Sequence, residues 1–240
     1  MKDRTRTYRI EAAVFEKFPE YARGVVVAYD VINGDSPPEL LQLLREAEAS
    51  VRGTLTADTL IQHPNMAAWR EAYRSFGAKP AKHRPSMEAM ARRVLKNQAI
   101  PSINALVDIG NVVSLRHLTP VGGHAIDVLN DDLALRLATG RETFVPFGSE
   151  QAEHPGPGEI IFAEGQTVLT RRWTWRQANH TLTLPTTTAI EFNVDGLPPV
   201  SRSEIDSACR NIMDLVSTFC GGRARHEILT REKPSLHLNP

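Results

Sequence analysis

A chain of 240 residues, 41% hydrophobic and 23% charged, can bury a core without staples, which excludes a disordered or fibrous class. Its 28 basic residues balance its 28 acidic ones, arguing against an avid, non-specific nucleic-acid binder. Neither a signal-peptide core nor an apolar run near the roughly 18 residues of a membrane span is present, so no membrane association is expected.

The two cysteines, Cys209 and Cys220, have neither zinc nor CxxC spacing and read as buried free thiols in a reducing, cytoplasmic compartment. Charge is uneven along the chain. From Arg70 to Lys96 eight basic residues face only Glu71 and Glu88, whereas from Asp127 to Glu159 seven acidic residues face Arg136 and Arg141. A neutral protein so organised can present one anion-facing surface, although charge runs are also ordinary solvated faces.

Residues 24–29 are β-branched and bounded by glycine, which predicts a buried strand. Ser36, two prolines and Glu39 predict a helix start with Ser36 as cap, followed by Leu40, Leu44, Ala47 and Val51 at helical spacing. Met66, Trp69, Tyr73 and Phe76 predict a second helix stopped by Gly77. After the basic loop 78–85, Ser86 is expected to cap a third helix, and Pro101 to open a fourth through Ile103, Leu106, Val107, Gly110 and Val113. Gly110 inside a helix costs about 1 kcal/mol relative to alanine, so a close approach is expected there.

Beyond Gly122 and Gly123 the pattern changes to short segments separated by Gly, Pro or Asn. Strands are predicted at 133–138, 143–147, 159–163, 167–175, 181–184 and 189–194. A final helix is predicted over 204–219, capped by Ser203 and ended by Gly221 and Gly222. The fold class is therefore α+β: one layered domain over residues 1–240, its helical N-terminal half packed on largely antiparallel sheets.

Signatures of common enzymes are missing: GxSxG, a phosphate loop, GxGxxG after a strand and HExxH do not occur. No metal, cofactor or covalent intermediate is expected. What remains is a polar set. Asp108 and Asn111 are three apart on one helix face, His124 follows Gly122-Gly123, and Glu191 alternates with Ile190 and Phe192. Each has a plain structural reading too, as a cap, a backbone partner or a core histidine. In a strand, Arg171 would share a face with Trp173 and Trp175, leaving Arg172, Thr174 and Arg176 on the other. Such interleaving suits phosphate pairing with base stacking, or equally core tryptophans flanked by paired arginines.

The segment Val107-Asp-Ile-Gly-Asn-Val-Val113, with Pro120, His124-Ala125 and Asp127, resembles the tRNA-editing domain of the bacterial phenylalanyl-tRNA synthetase β subunit, of the B-three/B-four type. Leu135-Arg136, Gly140-Arg-Glu142 and Phe147-Gly148 fit the same domain's next strands. Tyr73 to Pro80, Arg84 to Arg93, Pro101 to Asn104 and Arg171 to Gln177 resemble its free-standing members, so the likeness covers about residues 10–235.

The resemblance implies an editing-domain fold and a protein that hydrolyses misacylated tRNA in trans. It implies catalytic roles for Asn111, His124 and Glu191, within a substrate pocket that includes Asp108, Gly110, Gly122 and Gly123. Lys79, Lys82, Arg84, Arg92, Arg93, Arg171, Arg172 and Arg176 would face the aminoacylated acceptor end. His124 is then a candidate general base with an ordinary pKa of about 6.5. Glu191 would read the amino-acid side chain or its ammonium, and a hydroxylated residue (Tyr or Ser) is the expected substrate class. Gly110 replaces the family's threonine and Gly122-Gly123 is inserted before the histidine, so the pocket's shape differs. A synthetase or a second copy of the chain would strengthen otherwise weak tRNA binding. Two other readings use the same residues: a non-catalytic tRNA-binding or synthetase-accessory module, and a pocket for a free amino acid or aminoacyl metabolite.

Overall fold

The computed structural model describes residues 6–239. It begins with β1 (Arg6–Ile10), α1 (Ala12–Lys17) and β2 (Ala22–Tyr29). Five helices follow: α2 (Pro38–Thr54), α3 (Ala57–Leu60), α4 (Pro64–Ser75), α5 (Ser86–Leu95) and α6 (Ala105–His117). The sheets are then completed by β3 (Val121–Ala125), β4 (Leu133–Leu137), β5 (Ile160–Glu164), β6 (Thr167–Arg171), β7 (Arg176–Gln177) and β8 (Ala189–Gly196). Last come α7 (Arg202–Phe219), β9 (Arg223–Leu229) and β10 (Ser235–Leu238).

The strands form two sheets, one ordered β10-β1-β4-β5-β6-β7 and the other β3-β8-β2-β9. All named pairings are antiparallel except β1 with β4. The expected α+β fold, a helical N-terminal half packed on largely antiparallel sheets, is what the chain adopts, although β1 and β2 precede most of the helices and α7 follows β8. Alternation along β8 sets what each face of the second sheet meets. Phe192 faces α6, where its ring lies beside Gly110. His124 pairs with Glu191 across β3 and β8 and meets Phe162 of the first sheet at 5.1 Å between ring centroids. Glu191 and its neighbours Asn193 and Asp195 therefore point between the sheets.

Several predicted boundaries shift for identifiable reasons. Gly24 lies inside β2 rather than bounding it; a side chain there would overlap Cys209 Sγ and Ile205 of α7, so glycine lets helix and strand close up. Ser36 does not cap α2. Its hydroxyl donates to Asp108 Oδ2 at 2.6 Å, and Pro37 takes the cap position. Ser86 is the first residue of α5, whose cap position is Pro85. The fourth predicted helix starts at Ala105, where Asn104 Oδ1 accepts the Val107 N–H at 3.1 Å. Ser201 caps α7 instead of Ser203, in a reciprocal capping box with Glu204.

Two predicted strands are absent: residues 143–147 make only isolated bridges, and 181–184 form no strand. The strand predicted over 167–175 ends at Arg171. Residues 172–175 form a turn into β7, with Arg172 and Trp173 at φ 47° and 65°. These left-handed residues break the alternation, and Trp173 drops into the core against Trp69, Tyr21 and Phe18.

Candidate functional site

One edge strand of the four-stranded sheet is β3, and cavities open on both of its sides. On the helix side lies an apolar cavity of about 450 Å³. Its walls come from α6 (Leu106, Val107, Gly110, Asn111), from Gly123 of β3 and from Ile190 and Phe192 of β8, with Leu182, Leu184 and Phe147 around the mouth. The α6 wall is fixed at its start: Asn104 Nδ2 donates to Thr183 O at 2.9 Å, and Asn33 links the Leu106 N–H to Leu184 O. A methyl group at Gly110 would meet Phe192 and Val121 at 3.7 Å, an ordinary contact. The glycine therefore leaves cavity space open, and the expected close approach is not what accounts for it.

A basic groove of about 540 Å³ adjoins this cavity, lined by Arg84, Arg92, Arg93 and Lys96 together with Ile103 and Asn111. Ile103 and Asn111 border both spaces. Buried Glu88 accepts from Arg70 and Arg92 at 2.8 Å each, which orients Arg92 along α5. Arg93 Nε donates to Ala99 O. Among the described residues Arg84 and Lys96 make no ion pair, and the Asn111 amide makes no hydrogen bond.

On the other side of β3 a polar cleft of about 200 Å³ is lined by His124, Thr170, Thr174, Gln177, Asn193 and Asp195. His124 is 2% exposed and held by Thr181 Oγ1 on Nδ1 (2.6 Å) and Thr170 Oγ1 on Nε2 (3.1 Å). Burial, helped by nearby Arg23 and His180, pushes its pKa down to about 3. The ring is neutral at pH 7 and too weak a base for the role its ordinary pKa allowed. Glu191 accepts from Asn193 Nδ2 at 3.1 Å while its Oε2 has no partner, and burial raises its pKa to about 8. Beneath them Arg23 donates to Asp195 Oδ1 (2.7 Å) and Tyr8 OH (2.8 Å), and Asp195 Oδ2 is likewise unpaired.

A family model described as the B3/4 domain matches residues 68–221, well over half of the chain. The chain belongs to the B3/4 domain family. It is also similar to the phenylalanine–tRNA ligase β subunit of Mycoplasma genitalium, at 32% identity over 101 residues, 42% of this chain and 12% of that one. Its structure is also similar to that of an N-terminal fragment of the phenylalanyl-tRNA synthetase β subunit from Pyrococcus horikoshii. It has a TM-score of 0.47 and 10% identity, covering 91% of this chain and 50% of that one. The chain thus spans half or less of the length of these relatives.

In this B3/4 domain the predicted site residues divide. Asn111, Gly110, Gly122 and Gly123 line the apolar cavity, and Gly122 also borders the polar cleft with His124. Glu191 stands behind that cleft, fully buried. Asn111 and His124 therefore open on opposite faces of the sheet. Asp108 is not a pocket residue: it is fully buried and accepts from the Ser36 and Ser102 hydroxyls and the Ile103 N–H, pinning the chain ahead of α6.

Arg171 is not available to RNA either. It is bidentate to Glu159 at 2.9 and 2.8 Å and also pairs with Glu153 at 2.6 Å. Arg172 stacks its guanidinium 4.3 Å from the Trp175 ring centre, and Arg176 donates to Phe147 O at the cavity mouth. Lys79 lies in a separate basic hollow with Arg70 and Arg74, and Lys82 is exposed on the loop leading to Arg84. Sequence reasoning missed Lys96 as a groove residue, and Phe147, Leu182 and Leu184 as cavity walls. Lys96 lay within the basic run; the other three carried only the pattern of strands they do not form.

Proposed function

We propose that this protein binds the aminoacylated 3′ end of a tRNA and hydrolyses the ester in trans. One observation carries the reading: a basic groove runs into an apolar cavity, with the Asn111 side-chain amide, unpartnered among the described residues, where they meet. A phosphate chain suits the groove, an amino-acid side chain suits the cavity, and the ester joining them falls at Asn111. The B3/4 membership supports a role in tRNA or synthetase biology.

In this reading water adds to the ester carbonyl and the acyl–oxygen bond breaks. The ribose oxygen leaves with one of the water's protons, and the amino acid departs as a carboxylate, its other proton passing to solvent. Asn111 would hold the carbonyl and the β3 edge at Gly122-Gly123 would let the substrate approach, so positioning supplies most of the rate. Neutral His124, in the cleft across the sheet from Asn111, neither takes a proton nor touches the ester in this reading; with Thr170 and Thr181 it holds the far side of β3 in place. The cavity's size favours an aromatic over a serine side chain, with Thr183 the hydroxyl partner of a phenol.

A binding-only module is the second reading, favoured by the placement of His124 and Glu191 across the sheet from Asn111. Amino-acid release from a panel of misacylated tRNAs decides between them. Release from one pair, lost in Asn111→Ala, is the expected result. A flat panel with tRNA still bound leaves binding alone, and a flat panel without tRNA binding refutes both.

A further inference from the structure

Three of the large exposed hydrophobic residues crowd one place: Ile103 (59% exposed), Phe147 (62%) and Leu184 (52%) all border the mouth of the apolar cavity. Phe147 is the aromatic one, and its position is built rather than incidental. It sits at the second position of a β-turn over residues 146–149, closed by the Ser149 N–H on Pro146 O at 3.0 Å. Gly148 takes the third position at φ 76°, as a type II turn requires.

That turn is tied down on β7 and just beyond it. The Phe147 N–H donates to Gln177 O at 3.0 Å, Arg176 Nη2 donates to Phe147 O at 3.3 Å, and Asn179 Nδ2 donates to Ser149 O at 2.9 Å. A rigid backbone therefore holds an aromatic face in solvent, beside a cation and at the rim of a cavity. Apolar patches of this kind mark contact surfaces. The basic groove reaches the same rim through Ile103, so the ligand chemistry that fits here is the end of a polyanion. A polyanion that carries flat apolar faces is a nucleic acid.

We infer that Phe147 is a stacking platform for the base of the 3′-terminal nucleotide, with Ile103 and Leu184 completing the apolar rim. The inference rests on the acceptor-end reading above and adds to it the residue that positions the terminal nucleotide. Base–aromatic stacking tolerates any base, so the platform fixes position while the cavity selects the acyl group.

The test uses the full chain and an RNA hairpin with an unpaired 3′ end whose terminal base is 2-aminopurine. Stacking quenches that fluorophore. The expected result is quenching by the wild type, its loss in Phe147→Ala with binding weakened about 5- to 150-fold, and its retention in Phe147→Trp. Because Phe147 is mostly exposed, an unchanged melting temperature in the alanine variant separates the effect from misfolding. Wild-type binding without quenching, or equal quenching and affinity in Phe147→Ala, overturns the platform and leaves the acceptor-end reading standing. No binding of this RNA or of any charged tRNA by the wild type overturns both.

Discussion

Glu191→Gln tests the buried polar layer between the sheets through the pH dependence of stability. In the wild type Glu191 titrates at about 8 when folded, against an ordinary 4.5. Between those values the folded protein binds more protons than the unfolded one. Stability from this group is complete below pH 4.5 and is lost as pH rises through 8, at about 1.4 kcal/mol per pH unit. His124 acts with the opposite sign. Its pKa falls from 6.5 to about 3, so its contribution is present above 6.5 and is lost as pH falls towards 3.

Between pH 4.5 and 6.5 the two slopes oppose each other, so their joint contribution is a plateau with a decline on either side. Glutamine keeps the shape of Glu191 but cannot ionise. Urea unfolding at intervals from pH 4 to 9 should show Glu191→Gln gaining on the wild type above pH 4.5, reaching roughly 3–5 kcal/mol near pH 8. His124→Gln should lose the acid-side decline and keep the alkaline one. A Glu191→Gln difference that stays flat across this range would refute the buried, protonated carboxyl.

Three further outcomes follow from the site. Gly110→Ala should raise unfolding free energy by about 0.5–1 kcal/mol, because the helix gains propensity and the methyl meets only ordinary contacts; the narrower cavity should weaken deacylation of bulky residues in the same preparation. Replacing Arg84, Arg93 and Lys96 with glutamine should leave the melting temperature within a few degrees of wild type. It should also lower the slope of log affinity for tRNA against log salt by about 2–3. Arg171→Ala should behave in the reverse way. It strands Glu159, costs about 3–5 kcal/mol by denaturant unfolding, and leaves the salt slope of the remaining folded protein unchanged.

The elements legible in the sequence were those whose signal is local. Helical spacing in α2, α4, α5 and α7 follows from which side chains must face one way, and the β-branched run of β2 follows from burial on both faces. The α6 motif and Gly122-Gly123 located one wall and one edge of the cavity. The strands β1, β3, β9 and β10 were not legible, because none carries the β-branched run that marks β2: β1 reads RTYRI, β3 VGGHA, β9 RARHEIL and β10 SLHL. Turn geometry was hidden as well. The left-handed Arg172 and Trp173 carry no glycine to announce them, so a tract that alternates on paper folds back on itself and buries Trp173.

The separation of the site also belongs to the tertiary structure. Asp108, Asn111, His124, Glu191 and Arg171 are equally polar as letters. Only packing commits Asp108 to two serines and Arg171 to two glutamates, drives His124 and Glu191 to their neutral forms, and leaves the Asn111 amide free beside the groove. The sequence by itself determined the family, the layer order and the residue types at the site. The three-dimensional fold decided which of those residues face a ligand, because availability depends on neighbours that the chain brings from far away.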